Sequence, residues 1–421
     1  MNYKELRTKY PRFYYKSYSW NITGNDLVVS FEFSAGEEFV FKPKLVFKNV
    51  DTDRINSLRD QIDNLVFNIG MVELLSYWKA FASPEIVIEC GSLDSYQVNW
   101  WQGLLINGMS QYFYENKIDF TGDNFVNYIS HGRGESVSLV KVSSEKILVP
   151  IGGGKDSSVT AEILSKNFKN VEAFLLNPTK ASLETARVAG IGDVVVERDL
   201  DSKIIELNKE GYLNGHTPFT TLLSFVSILS ATLGDFGTIV FSDEKSSDEE
   251  NVKYKGESIN HQYSKTYEFE NKFREYNQRY LSNINYFSFL RPLYDIQIAK
   301  IFSGFPKYFS VIRSCNVGQK TDSWCGKCPK CLSTFILFYP FLKDETIKIF
   351  GKNLLKDEEL MPLLKLLTDE AEVKPFECVG TRHELNVALR RIKDDAIMSS
   401  WGENNLPKNY EEILKKYING K

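Results

Sequence analysis

Hydrophobic positions change their period along this chain, and each change marks a different kind of structure. Leu27, Val29, Phe31 and Phe33 share one parity, and a second run, Phe39 to Phe47, follows across a turn at Gly36. Side chains that repeat every two residues predict antiparallel strands joined in a hairpin. The repeat then lengthens: Ile55, Leu58, Ile62, Leu65, Ile69 and Val72 recur at three and four residues, which lines one face of a long helix. Gly24, Gly36 and Gly70 are the only glycines before residue 90, so this first part reads as compact rather than linker-like.

From Lys146 onward, strand and helix patterns alternate. Lys146 to Ile151 reads as a strand, Asp156 to Asn167 as a helix, Val171 to Leu176 as a strand and Ser182 to Ala189 as a helix. Asp193 to Glu197 and Thr238 to Ser242 read as further strands. Alternation of this kind predicts an α/β fold, a doubly wound parallel sheet with helices on both faces. Phe219 to Leu233, the most apolar stretch, is broken by Thr and Ser throughout and falls short of the roughly 18 residues of a membrane helix, so it predicts a buried helix. After Tyr339 the chain is rich in Lys, Glu and Leu and predicts helices, with one loop of different character from Lys374 to Gly380. The expected organisation is an N-terminal α+β domain over 1–140, an α/β domain over 145–335 and a helical extension over 336–421. The paired tryptophans Trp100 and Trp101, beside glycines, read as packing at a core or domain interface in preference to a ligand platform.

Composition narrows the function classes. Apolar residues make up 43% of the 421 and charged residues 25%, as in ordinary soluble proteins. With 51 Lys+Arg against 55 Asp+Glu the net charge is −4, so no global basic field exists to hold DNA or RNA, and no nucleic-acid partner is expected. The first seven residues carry no apolar signal core, and no membrane span is expected; a cytoplasmic location follows as an expectation. Of six cysteines, four crowd into Cys315, Cys325, Cys328 and Cys331, spaced C-x9-C-x2-C-x2-C. Clustering suits thiolates gathered on one metal in a reducing compartment better than a disulfide framework. Structural Zn²⁺ is the favoured occupant, with an iron–sulfur cluster or free thiols as alternatives.

The sharpest local signal is Val149-Pro150-Ile151-Gly152-Gly153-Gly154-Lys155-Asp156-Ser157-Ser158-Val159, at the junction of the first α/β strand with its helix. Gly152, Gly153 and Gly154 let the backbone approach an anion, and the following helix turns its free N–H groups toward it. Ser157 can donate to a phosphate, Asp156 can orient the loop or hold a metal, and Lys155 can help neutralise charge. A triphosphate loses pyrophosphate readily only when cations neutralise it, so Mg²⁺ is expected with ATP.

This loop resembles the SGGxDS motif of the PP-loop ATP pyrophosphatase superfamily, with Gly152 where Ser is usual. The resemblance implies a HUP/Rossmann-like fold in which a substrate oxygen attacks the α-phosphate of ATP, giving an adenylate and pyrophosphate. A four-cysteine cluster downstream of such a loop also occurs in 7-cyano-7-deazaguanine synthases, which adenylate a carboxylate for amidation and nitrile formation. Several further segments, in order, resemble the ATP-dependent UDP-N-acetylmuramoyl-L-alanyl-L-glutamate epimerases of bacterial peptidoglycan synthesis. They are Trp100-Trp101 with Asn107-Gly108, Leu213 to Pro218, Ser242 to Ser246, Asn260 to Lys265, Trp324 to Cys331 and Pro375 to Gly380. That resemblance implies UDP-MurNAc-L-Ala-L-Glu as substrate, its D-Glu epimer as product, and conversion of ATP to AMP and diphosphate. Esterifying the glutamyl α-carboxylate with AMP removes the charge that would otherwise make the α-carbanion a dianion. His261, His216, Lys265 and Cys378 are the candidates for moving the proton. A non-enzymatic nucleotide-binding protein is the third reading. The charged segment 242–272 reads equally as a solvated loop or as a cover for an anionic substrate, and the first hundred residues are expected to help bind the UDP-sugar end.

Overall fold

In the computed structural model the alternation at the start of the chain extends further than the expected hairpin. The structure describes residues 2–122, 124–130, 139–318, 321–370, 372–390 and 394–419, which include every candidate site residue named above. β1 (Arg12–Thr23) and β2 (Asp26–Ala35) pair antiparallel from Phe13 opposite Ala35 to Thr23 opposite Asp26. β3 (Phe39–Phe41) and β4 (Lys44–Phe47) both pair with β2, so the run 39–47 is two short strands, separated where Pro43 has no N–H to donate. The helical pattern from Ile55 to Val72 is likewise two helices, Thr52–Ser57 and Arg59–Glu73, because Leu58 leaves helical geometry. β5 (Glu85–Ile88) and β6 (Asn127–Ser130) extend the far side of β1 in parallel.

The second half supplies β7 (Ile147–Pro150), β8 (Val171–Leu176), β9 (Gly192–Asp199), β10 (Thr238–Phe241) and, after a separate β11 (Val252–Tyr254) and β12 (Glu257–Ile259) hairpin, β13 (Asn285–Ser288). These five lie parallel in the order β13-β10-β7-β8-β9. β9 then pairs antiparallel with β4, from Lys44 opposite Asp199 to Phe47 opposite Val196, so both halves form one eleven-stranded sheet. Half-buried Arg198 on β9 ties that strand to the Arg59–Glu73 helix, with both guanidinium bonds to Glu73 at 2.9 Å.

Strand residues sort by parity into two cores. Leu148, Phe174, Ile239 and Phe241 pack with the Phe219–Gly234 and Arg59–Glu73 helices. Val149, Ala173, Leu175 and Val240 pack with helices Lys155–Asn167, Asp295–Phe302 and Pro329–Leu342. A parallel sheet covered on both faces has near-continuously apolar strands, and its ligands gather at the strands' carboxyl ends. The Phe219–Gly234 helix is buried as its composition predicts, and among the described residues no helix is long and apolar enough to cross a membrane. Trp101 is fully buried, stacked on Phe225 and donating to Tyr276 at 3.2 Å, as the packing reading expects.

Candidate active site

β7 ends in a turn that only glycine can make at one position. Gly153 has φ +84°, and a Cβ there would stand 2.7 Å from the Ser182 nitrogen and 2.8 Å from the Ala181 carbonyl carbon. Gly152, by contrast, faces open space, and Gly154 caps the Lys155–Asn167 helix in extended geometry. The Arg313 N–H donates to the Gly153 carbonyl at 2.8 Å, which draws a distant segment against the turn. Ser157 and Ser158 donate their hydroxyls to the Gly154 carbonyl at 3.2 and 2.8 Å.

The turn opens on a cleft of about 340 Å³ at the carboxyl ends of β7, β8 and β10. Phe174, Leu176, Phe219, Leu223 and Phe241 give it apolar lining, the kind of surface a nucleobase packs on. The charged part of the lining is Asp156, Asp243, Glu244 and Asp295 with Lys155, Lys265, Arg313 and Lys330, and Cys378 is also in it. Lys155 lines the cleft but is not a free cation. Its ammonium is buried between Asp156, at 2.5 Å, and Asp295. Burial opposes that charge, but Asp156, Asp295 and Glu244 outweigh it and hold Lys155 above its usual range. Burial pushes the carboxyls of Asp243 and Asp295 up, and that of Glu244 up to about 8. Lys265 is held above its usual range first by Cys378, then, against burial, by Glu244, Asp243 and Asp156. Burial thus favours the neutral form of these carboxyls, and a divalent cation would favour the charged form. Asp156 and its neighbours offer the hard oxygen ligands that Mg²⁺ takes.

Two brackets hold this charged lining in place. Fully buried Arg291 pairs with Glu270 at 3.1 Å and donates to the carbonyls of Glu244 and Lys265, so it sets both backbones. Lys374, also buried, pairs with Glu249, and Asn251 donates to the Pro375 carbonyl at 2.8 Å, which positions the loop carrying Cys378. The charged segment 242–272 is divided: Lys253 and residues 255–258 are exposed, whereas Asp243, Glu244 and Lys265 line the cleft.

The four cysteines meet beside the cleft. Cys315 and Cys328 sulfurs lie 3.8 Å apart, Cys325 and Cys331 sulfurs 3.7 Å, and all four within 4.8 Å of one another. A tetrahedron with metal–sulfur bonds of about 2.3 Å has edges of about 3.8 Å. Several metal and sulfide ions between the thiolates would need wider spacing, so the donor set suits a single ion. Gly326 at φ +63° makes the tight turn, and Gly318 donates its N–H to the Cys315 sulfur at 3.1 Å. The cluster ties Arg313, Ser314 and Asn316 on one side to Lys330, Ser333 and Thr334 on the other, all of which line the cleft.

His216 and His261 lie together, with ring centroids 4.4 Å apart, against the N-terminal helices and not in the glycine cleft itself. Gly215 packs on Tyr112, and His261 Nδ1 is 2.6 Å from Gln111 Oε1. Burial takes His216 down to about 3; burial and then Lys265 take His261 down to about 4, so both are neutral imidazoles near pH 7. His261 and Lys265 do not share a helical face, since only a single 3-10 turn, Tyr263–Lys265, forms there. The structure thus gathers the glycines, Asp156, Ser157, Lys265 and Cys378 in one cleft and sets the histidines on its flank. Asp295, Arg313 and Gln111 escape a sequence reading because each arrives from a distant segment with no local motif; Lys330 lies inside the cysteine motif, whose reading as metal ligands passes over it. A faint signal for Asp295 is its place in the first turn of the Asp295–Phe302 helix, soon after a strand.

Comparison with known proteins covers both halves of the chain. Residues 4–289 match the MurL N-terminal domain and residues 309–417 the MurL C-terminal domain. A curated protein of Xanthomonas oryzae named UDP-N-acetyl-alpha-D-muramoyl-L-alanyl-L-glutamate epimerase is 31% identical over 360 residues, covering 83% of this chain and 77% of its own. Proteins with the same name from a Micromonospora species and from Salinispora tropica are each 32% identical, over 77% and 79% of this chain and 74% and 76% of theirs. With a family domain spanning well over half of its length and relatives this similar, the chain belongs to the MurL family.

Proposed function

We propose that this protein epimerises the glutamyl residue of UDP-MurNAc-L-Ala-L-Glu to the D form in peptidoglycan synthesis, activating the α-carboxylate with ATP. The observation that carries the ATP-dependent step is the Gly153 turn, opening on a cleft whose lining is part apolar and part carboxylate-rich. In this reading the turn is a PP-loop on a doubly wound sheet. The adenine would take the apolar lining and the phosphates would lie over Gly152–Gly154 and the amino end of the Lys155–Asn167 helix; Asp156 with its neighbouring carboxylates would hold Mg²⁺, whose chemistry there would be charge neutralisation of the diphosphate. Zinc is the ion proposed for the four cysteines, in a purely structural role. A cytoplasmic location is part of this proposal, because ATP is supplied there and clustered thiols stay reduced.

Lys265 and Cys378 line the cleft together, and the His216–His261 pair flanks it. Two such groups are what an epimerase needs, one to take the α-proton and one to return a proton on the opposite face. Lys265 also offsets the negative charge of the glutamyl adenylate. Incubation with ATP, Mg²⁺ and the dipeptidyl nucleotide in deuterated water is expected to release AMP and diphosphate and to place deuterium at the glutamyl α-carbon. AMP release with no deuterium uptake would refute the epimerase reading, and ammonia-dependent turnover would point to an amide-forming ligase.

A further inference from the structure

The His261 ring is held from one side by a two-step relay whose polarity can be read from the donors and acceptors alone. Glu115 sits one helical turn beyond Gln111, and the Gln111 Nε2 donates to Glu115 Oε1 at 2.8 Å. A carboxylate offers only lone pairs, so the amide must turn its NH₂ toward Glu115 and its oxygen away. That oxygen lies 2.6 Å from His261 Nδ1. A carbonyl oxygen can only accept, so His261 carries its hydrogen on Nδ1, and in a neutral ring Nε2 is then the bare nitrogen. The backbone is fixed as well, since the His261 N–H donates to Asn251 Oδ1 at 2.8 Å.

From this relay we infer that Gln111, oriented by Glu115, is a positioning residue that locks His261 in its Nδ1–H tautomer and leaves Nε2 free to accept the glutamyl α-proton. This rests on the epimerase reading above. In the step, the Nε2 lone pair bonds the proton, and the C–H electrons move into the adenylate carbonyl as an enolate. The resulting imidazolium is stabilised through Nδ1–H donation to Gln111. With the opposite tautomer, His261 would present an N–H and could not act as the acceptor. The charged and titratable groups around the ring are Lys265, Lys330, Glu377, Glu115 and His216. The first two also line the glycine cleft.

The test uses full-length enzyme labelled with ¹⁵N at its four histidines, with His261→Asn identifying the His261 signals. The expected spectrum at neutral pH shows His261 with Nδ1 protonated and Nε2 bare. Gln111→Leu should shift the ring toward the Nε2–H form, and Glu115→Gln, a milder change at an exposed residue, should give a mixture of both. In deuterated water, Gln111→Leu is expected to cut deuterium uptake per AMP released by about 100-fold, the ordinary worth of a placed base, with KM for ATP unchanged. A protonated Nε2 in the unmodified enzyme overturns the proposal. So does a Gln111→Leu enzyme that changes tautomer yet keeps its deuterium uptake per AMP. Should unmodified enzyme take up no deuterium at all, the epimerase reading falls and takes the proton-transfer role with it, while the spectrum still decides the tautomer lock. If Gln111→Leu does not fold, Glu115→Gln carries both measurements.

Discussion

Adjacent glycines in the turn after β7 have very different tolerances. Gly153 combines a left-handed φ with backbone atoms under 3 Å from any added Cβ, whereas Gly152 faces open space. Gly153→Ala is therefore expected to cost about 2–4 kcal/mol, from left-handed strain plus overpacking, and to abolish AMP formation. Gly152→Ser should fold with stability within about 0.5 kcal/mol of the parent and keep its activity. Chemical denaturation with an ATP-to-AMP assay checks both, and a fully active Gly153→Ala enzyme would remove the turn from the site. This contrast was half legible beforehand. Three consecutive glycines mark a close backbone approach, but which of them is indispensable depends on Ser182 and Ala181, brought up by the next helix of the fold.

At the level of elements, the cysteine cluster and the glycine turn are one construction. The same segment that supplies Cys315 presents Arg313 to the Gly153 carbonyl and Ser314 to Gly154. Loss of the metal should thus act on the cleft as well as on stability. The purified protein is expected to be colourless, with about one zinc per chain by elemental analysis. Cys325→Ser should lower the metal content, lower the melting temperature and weaken ATP binding together. Iron in the preparation with a visible absorption band would overturn the zinc assignment. Spacing made the ligand set readable because a CxxC turn is local. Its role as a wall of the cleft was not readable, since that depends on where the Pro329–Leu342 helix lies against the sheet.

For the whole molecule, the decisive feature is the seam between β4 and β9, which merges strands from both halves into one sheet. Beside this seam, half-buried Arg198 of β9 pairs with fully buried Glu73 of the Arg59–Glu73 helix, with side-chain exposures of 11% and 1%. Arg198→Ala leaves the Glu73 charge buried without its partner and is expected to cost about 3–5 kcal/mol. Replacing both, with Arg198→Met and Glu73→Leu, should recover most of that loss. Urea unfolding of the two variants checks the difference, and equal losses would show that the buried charge is not the source. The first fifty residues show strand alternation in sequence, yet alternation carries no pairing partner; backbone hydrogen bonds are the same whichever strand supplies them.

The sequence by itself determined what depends on neighbours in the chain. Strand and helix periods, the glycine turn with the helix that follows it, and four thiols close enough to share one ion all arise from spacing within a few residues. Tertiary structure alone decided that Lys155 is clasped by Asp295, that Lys265 faces Cys378, and that Gln111 meets His261, pairs separated by 140, 113 and 150 positions in the chain. Each depends on strand order and helix packing. Those are set by burying apolar faces from the whole chain at once, and no local spacing encodes them.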